Sequence, residues 1–561
     1  MCGVFASFSR RMCSNLGHWR NEGLNALRHR GPDFLDCYTS CDERVFLGHT
    51  LLSISTSTLG NGKQPMKTDR SVMVFNGELY NHKALRERLV SQGINLDGDS
   101  DTEILLRGIE SHGWAFLDAV EGCWAVILYE LATGKLYFSR DPLGEKQLVY
   151  KLDHNGLILA SEAKSILVTQ DEVHLDAPRI LSDLVFDFFS NRECTYFHNI
   201  KNCQPGRFYS YDVNGNLQEI YSCGIGAQKP DLPLRRKLAH AVSSMVPEHH
   251  ACAVVLSGGL DSSIIASLLK TETRNMPFVA VTAAYDEGSN DDIYYARQLV
   301  EHLGGVDHQE LKVDKKSVEQ NFVTVQAVLE EPLHDQVYIT QYLIYRHIAT
   351  LGLRVALNGQ GADEFWGGYY YHYGLHDLYS ADIETAIRYF HKQANNRGLH
   401  SLLTQAELIR LIEDNLAPRW AKSTALQNIL MEGHLQAMIS HEDKLSMASG
   451  VEVRLPFLNQ ALVKHALNLS IEEKVHLGVE KAPLRYAMSG ILNDQIRVRR
   501  KQAFPDTPKN AYIGSDFLSG LGGHRSLFSK NEIKAVSKCC PKLEWRMNAI
   551  NAFSGVVTRA C

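Results

Sequence analysis

AVVLSGGLDSSIIASLL, residues 253–269, decides how the second half of this chain is read. AVVL is short, apolar and β-branched, as a buried strand requires, and IIASLL continues as an apolar helix. The turn between them, SGGLDSS, aims backbone N–H groups and a helix N-terminus at a phosphate. Gly258 and Gly259 let that phosphate approach the backbone, and Ser257, Ser262 and Ser263 add hydroxyl donors. Asp261 stands where anion binding alone disfavours a carboxylate, so a bridging Mg²⁺ is expected. The loop lacks the Gly-Lys pair of a Walker A turn.

Working outward, PFVAVTAAY (277–285) and LRVALNG (353–359) are further short buried runs separated by long helical stretches, which implies a parallel sheet with crossover helices. Residues 375–540 read as mainly helical. Upstream the pattern changes. VFLGHTLLSI (45–54), SVMVFNGELY (71–80), CWAVILYEL (123–131) and KLYFSRD (135–141) read as strands. KALRERLVSQG (83–93) and DTEILLRGIESHG (101–113) are amphipathic helices, giving an α+β layered unit. Gly and Pro cluster in GIGAQKPDLP (224–233), so the expected division is 2–210, a linker at 211–236, a second domain at 237–540 and a tail at 541–561.

The bulk numbers exclude several classes. A chain of 561 residues is too long for one core. A net charge of -6 predicts neither a nucleic-acid groove nor a basic membrane face. No apolar run reaches bilayer length, and MCGVFASFSRR turns basic too soon for a secretory signal. The twelve cysteines lack zinc spacing, so a reducing cytoplasm is expected. Cys2 is set apart by position. Loss of Met1 would leave a thiol and a free α-amine on one residue, and that amine, with a pKa of about 8, can act as its own base.

The segments MCGVF (1–5), RHRGPD (28–33), FNGELYN (75–81), SDTE (100–103) and SRDPLGEKQLVY (139–150) resemble the class II glutamine amidotransferases, specifically the asparagine synthetase family, in order and spacing. S-G-G-x-D-S resembles the pyrophosphate loop of N-type ATP pyrophosphatases. The resemblance implies a four-layer α+β sandwich of the Ntn-hydrolase type before the α/β domain. Cys2 is then the nucleophile, Asn76 and Gly77 the oxyanion hole, and Asn76, Gly77, Glu78 and Asp101 the glutamine site. ATP and pyrophosphate fall to Leu256, Ser257, Gly258, Gly259, Asp261, Ser262, Val281, Asn358, Gly359 and Lys481, with Leu256 and Val281 framing the adenine. Asp261 and Asp363 become the Mg²⁺ ligands, the second from LNGQGADEFWGGY (357–369) with Glu364 beside it. Lys481, in EKAPLRYAM (480–488), faces the departing pyrophosphate and is carried over as catalytic. Lys444 and Arg454, in HEDKLSMASGVEVRLPFLN (441–459), add positive charge to the cleft, and RRKQAF (499–504) resembles a basic segment beyond it.

Two positions depart from the family. The arginine expected to grip the glutamine α-carboxylate is Leu51, in GHTLLS (48–53). Either Arg30, Arg28 or Lys63 substitutes, or glutamine binds weakly, or the donor is not ordinary glutamine. Gln360 stands where asparagine synthetases often carry Glu, and an amide cannot act as a base. Glu330 and Glu331, in LEEPLHD (329–335), are alternatives, as is ammonia arriving unprotonated through a dry passage.

The expected partners are therefore small molecules, namely glutamine, ATP and aspartate or another carboxylate, with no nucleic acid or membrane and a homodimer left open. The acceptor is aspartate by default. A peptide, cell-wall, sugar or secondary-metabolite carboxylate, or ring closure as in the β-lactam synthetases, stays open.

Overall fold

Period-two burial along the strand Gly3–Ser9 builds the first half of the molecule. Val4, Ala6 and Phe8 enter a core between two sheets, while Phe5 points outward under helices. The structure, a computed structural model, describes all residues except 1, 11–15, 55–61, 187–189, 191, 226–231, 249, 274–275, 286–290, 370–377, 379–381, 397–398, 421–429, 501–526, 538–540 and 561.

Gly3–Ser9 lies in a six-stranded antiparallel sheet ordered Ile200–Asn202, Val149–Asp153, Gly156–Ala160, Gly3–Ser9, Val45–Leu51, Phe34–Thr39. The facing sheet runs Leu217–Ser222, Arg207–Tyr211, Lys135–Arg140, Gly122–Glu130, Ser71–Leu79, Met66–Lys67. Helix Leu16–Asn25 covers the first sheet, and helices His82–Ser91 and Asp101–His112 cover the second through Leu85, Leu89, Ile104, Leu105 and Ile109. Each fully buried side chain of this kind contributes about 1.5–3 kcal/mol. The result is the four-layer α+β sandwich expected.

Beyond helix Leu234–Ser244 comes a parallel sheet ordered Asp307–Val313, Phe278–Tyr285, Cys252–Val255, Val355–Leu357, Glu452–Arg454. It is the expected α/β sheet with a largely helical remainder. Two features differ from the sequence-based division. Leu217–Ser222 is an edge strand of the second sheet, so the stretch read as linker begins inside the first domain; its short alternating pattern, mostly solvent-facing, carries little apolar signal. The stretch read as a tail forms the 20-residue helix Pro541–Ala560. Its Leu543, Met547, Ile550, Phe553 and Val557 form a three-and-four-spaced stripe inside a core shared with Phe5 and Ile166 of the first domain. Among the described residues no helix is long and apolar enough to cross a membrane.

Candidate functional site: two pockets joined by a charged seam

Cys2 immediately precedes the central strand Gly3–Ser9 of the first sheet and is buried. Its backbone N–H donates to Asn76 Oδ1 at 2.9 Å, while Asn76 Nδ2 is buried with no hydrogen-bond partner among the described residues. A buried amide donor left open beside the sulfur is what a developing oxyanion requires. Gly77 fits because a Cβ there would meet Cys123 O at 2.1 Å. Gly31 of the RHRGPD turn packs equally closely on the Thr50–Leu51 backbone. Burial pushes the Cys2 thiol up, and a backbone hydrogen bond at Leu52 and the Arg30 guanidinium pull it back. Asp101 accepts from Leu79 N–H at 2.7 Å, and burial together with nearby Glu78 holds its carboxyl well above the usual range. Two adjacent carboxylates of this kind are relieved by an arriving ammonium.

In the second domain the strand-turn-helix reads as expected. Gly258 adopts φ +66°, and a Cβ there would strike Ala296 N and Asp292 O, each at 2.7 Å. Ser257 Oγ lies 3.1 Å from Ser262 Oγ and accepts from Gly259 N–H at 3.3 Å. Leu256 N–H donates to Val281 O at 2.9 Å, so the two residues assigned to the adenine are neighbours at the strand ends, though both side chains lie in the core. Gly359, following Asn358, packs against Asp261 so closely that a Cβ would lie 2.9 Å from the Asp261 Cβ. Lys481 Nζ then bridges Asp261 Oδ2 at 2.5 Å and Asp363 Oδ1 at 2.7 Å. Lys481 sits in the left-handed region, at φ 56° and ψ 34°, an arrangement costing about 1–2 kcal/mol that its two ion pairs offset. Two carboxylates from abutting loops form an all-oxygen set, which fits Mg²⁺ completed by phosphate and water.

The two pockets meet across helix Gln436–Met447, in which every residue but the half-buried Met438 is buried. Successive residues point to different partners. His441 pairs with Glu331 at 3.2 Å, and Asp443 with Arg30 at 2.9 Å. Lys444 bonds Glu330 at 3.0 Å and Leu329 O at 2.7 Å. Glu442 Oε1 accepts from Asn358 and Gln341, each at 3.0 Å, and its other oxygen accepts from Tyr345. Arg30 in turn donates to Cys2 O at 3.1 Å and pairs with Glu162 at 2.7 Å. One helix thus touches the residue that holds Cys2 and the residue that opens the nucleotide-side loop. A cavity of about 310 Å³ opens at this seam, and its lining is mixed, with Arg140, Glu330 and Lys444 beside Leu143, Val149 and Leu435.

Several expectations are corrected by this seam. Lys444 adds no free positive charge to a cleft; its ammonium is paired with Glu330. Arg454 is spent on Glu452 at 2.6 Å, Met245 O at 2.9 Å and Glu78 at 2.8 Å. Glu330 and Glu331 cannot serve as the base that Gln360 lacks, because Glu330 also accepts from Ala163 N–H at 3.0 Å and Glu331 pairs with Arg192 at 2.5 Å. Arg30 is committed to Cys2 O, Glu162 and Asp443 and so is not a replacement for the arginine missing at Leu51. Lys501–Phe504 of the basic segment lies outside the described residues. Arg499, from the same segment, donates to Gly258 O at 3.0 Å and to Asp292 at 2.9 Å while lying over the Tyr295 ring at 4.1 Å. Sequence reasoning assigned it no role; its only signal was two arginines beyond the last cleft helix.

Glu364 accepts from Tyr369 OH at 3.3 Å and lies 3.0 Å from His434 Nδ1, a buried cluster behind Asp363.

Comparison with known proteins follows the same division. The glutamine amidotransferase domain family matches residues 1–222, and the asparagine synthase family matches residues 233–519. Asparagine synthetase (glutamine-hydrolyzing) 1 of Bacillus subtilis (strain 168) is 25% identical, covering 90% of this chain and 87% of that protein. Asparagine synthetase (glutamine-hydrolyzing) 2 of Arabidopsis thaliana is 28% identical over 93% and 81%, and asparagine synthetase B of Escherichia coli (strain K12) 26% over 90% and 82%. The match at 233–519 spans more than half of the sequence, and both pockets fall inside the matched regions, so this chain belongs to the asparagine synthase family.

Proposed function

We propose that this protein makes asparagine from aspartate, spending ATP and taking nitrogen from glutamine. The observation that carries the reading is the link between the pockets: Arg30 holds Cys2 O and Asp443, and the adjacent Glu442 holds Asn358. An ammonia-releasing site gains nothing from such a link unless its product is used at the other end.

With Met1 removed, the nitrogen now bonded to Asn76 Oδ1 is the α-amine. It takes the Cys2 proton as the sulfur attacks the glutamine amide. Asn76 Nδ2 and the Gly77 N–H stabilise the oxyanion, ammonia leaves, and water resolves the thioester to glutamate. Glu78 and Asp101 receive the glutamine amine. In the second domain the aspartate side-chain carboxylate attacks the α-phosphorus of ATP, giving a β-aspartyl adenylate and pyrophosphate. The 257–263 loop and Lys481 hold the pyrophosphate, and Arg499 fixes the loop through Gly258 O. Asp261 and Asp363 would hold Mg²⁺, which would supply charge neutralisation for the phosphates. Ammonia then displaces AMP. With Gln360 unable to take a proton, the amine is delivered neutral from the Cys2 side, and enclosure between the domains protects both it and the adenylate from water.

The test is one incubation with ATP, Mg²⁺, glutamine and aspartate, measuring glutamate, AMP and asparagine together. Equal yields of all three are expected, and Cys2→Ala is expected to abolish the glutamine-driven reaction while ammonia still supports synthesis. Glutamate and AMP without asparagine would remove aspartate as the acceptor.

A further inference from the structure

We infer that Lys63 binds the α-carboxylate of the substrate in the Cys2 pocket, in place of a cation at Leu51. The inference rests on glutamine, or another α-amino acid amide, being what Cys2 attacks. Such a substrate is a zwitterion. Its amine faces the Glu78 and Asp101 carboxyls, so its carboxylate needs a positive partner nearby.

The cations around the pocket separate cleanly. The charge of Arg30 is matched by two buried carboxylates, Glu162 and Asp443, and its Nε holds Cys2 O; only Nη2 is without a hydrogen-bond partner among the described residues. Arg454 is tied to Glu78, Glu452 and Met245 O. Arg354 reaches the pocket's edge from the second domain but is held by Asp33 and by Ser53 O at 2.7 Å. Arg28 is exposed just beyond the outer-layer helix Leu16–Asn25. Lys63 has no ion pair among the described residues, and its ammonium lies 5.2 Å from the centre of the Phe34 ring. Phe34 is the cross-strand partner of Leu51, so the charge stands beside the position that lacks it.

The next residue anchors this segment. Gln64 accepts from Phe75 N–H at 2.5 Å and donates to Thr102 Oγ1 at 3.1 Å. Phe75 precedes Asn76 and Thr102 follows Asp101, so Gln64 ties the segment that carries Lys63 to the residues beside the oxyanion donor and the amine-binding carboxyl. Lys63 is exposed, which leaves its side chain free to close over a bound carboxylate. The aromatic face holds the ammonium beside Phe34 without neutralising it.

The experiment compares glutaminase kinetics of the full chain with those of Lys63→Ala and Lys63→Arg, using glutamine and glutamine α-amide, which lacks the carboxylate. In Lys63→Ala the KM for glutamine is expected to rise about 10- to 100-fold with kcat nearly unchanged, and the preference for glutamine over its α-amide to disappear. Lys63→Arg is expected to keep both the low KM and the preference. An unchanged KM and preference in Lys63→Ala overturns the Lys63 assignment and leaves the glutaminase reading standing. A wild-type protein that releases no glutamate from glutamine overturns both.

Discussion

Asn76 Oδ1 accepts from the Cys2 N–H while Nδ2 is buried with no hydrogen-bond partner among the described residues, so removing the side chain separates chemistry from binding. Asn76→Ala is expected to lower kcat for glutamate release about 10²- to 10³-fold, with ammonia-driven AMP formation as the control. At the other pocket, Lys481→Ala leaves Asp261 and Asp363 facing each other without the ammonium that joins them. AMP formation is expected to be lost while glutamate release persists, read in the same assay. Glu442 carries a third prediction. Burial raises its carboxyl to about 7 against the pull of Tyr345 and Asn358. The folded protein thus binds this proton more tightly than the unfolded chain. The stability it contributes is complete below about pH 4.5 and is lost as pH rises through 7. Glu442→Gln is expected to shrink the fall in melting temperature between pH 5 and pH 8.

At the scale of elements, helix Gln436–Met447 shows why the sequence misled about Lys444. A lysine in the charged run His441, Glu442, Asp443, Lys444 offers itself as a free cleft charge, yet all four residues are buried and matched, because the helix lies between two domains that each offer counter-charges. Asp443→Ala removes one of the two carboxylates on Arg30, and about 3 kcal/mol of stability is expected to be lost, measured by denaturant unfolding. The strand Glu452–Arg454 escaped notice for a related reason. It is three residues long and two are charged, so no apolar run announces it; its place in the parallel sheet depends on Arg354 O and on the counter-charges around it. By contrast, Ser71–Leu79, Gly122–Glu130 and helix Asp101–His112 were legible to within two residues, because period-two and three-and-four spacing survive in any tertiary context.

Over the whole molecule, helix Pro541–Ala560 ties the halves together. Trp545 packs on Phe322 of the second domain, while Arg546 bonds Asp183 and His334. Five large apolar residues of this helix lie buried, worth about 10 kcal/mol together, comparable to the entire stability of a domain. A chain ending at residue 540 is therefore expected to aggregate or to lose its cooperative unfolding transition, checked by soluble yield and calorimetry.

The sequence by itself determined the local chemistry: the strand-turn-helix at 253–269, the Cys2 terminus and the Asn76–Gly77 pair. Those features are encoded by contiguous residue types whose backbone geometry follows from short-range sterics and hydrogen bonding. Only the tertiary structure decided which charges serve the pockets and which serve the seam. Arg30, Glu330, Glu331, Lys444 and Arg454 have the same chemistry as catalytic candidates, and what separates them is a partner more than a hundred residues away that neutralises each one where water cannot reach. The cation missing at Leu51 is the sharpest case. The sequence shows only that it is absent, whereas the fold brings Lys63 to the strand neighbour of that position, through a hydrogen-bonded anchor at Gln64 that no linear pattern displays.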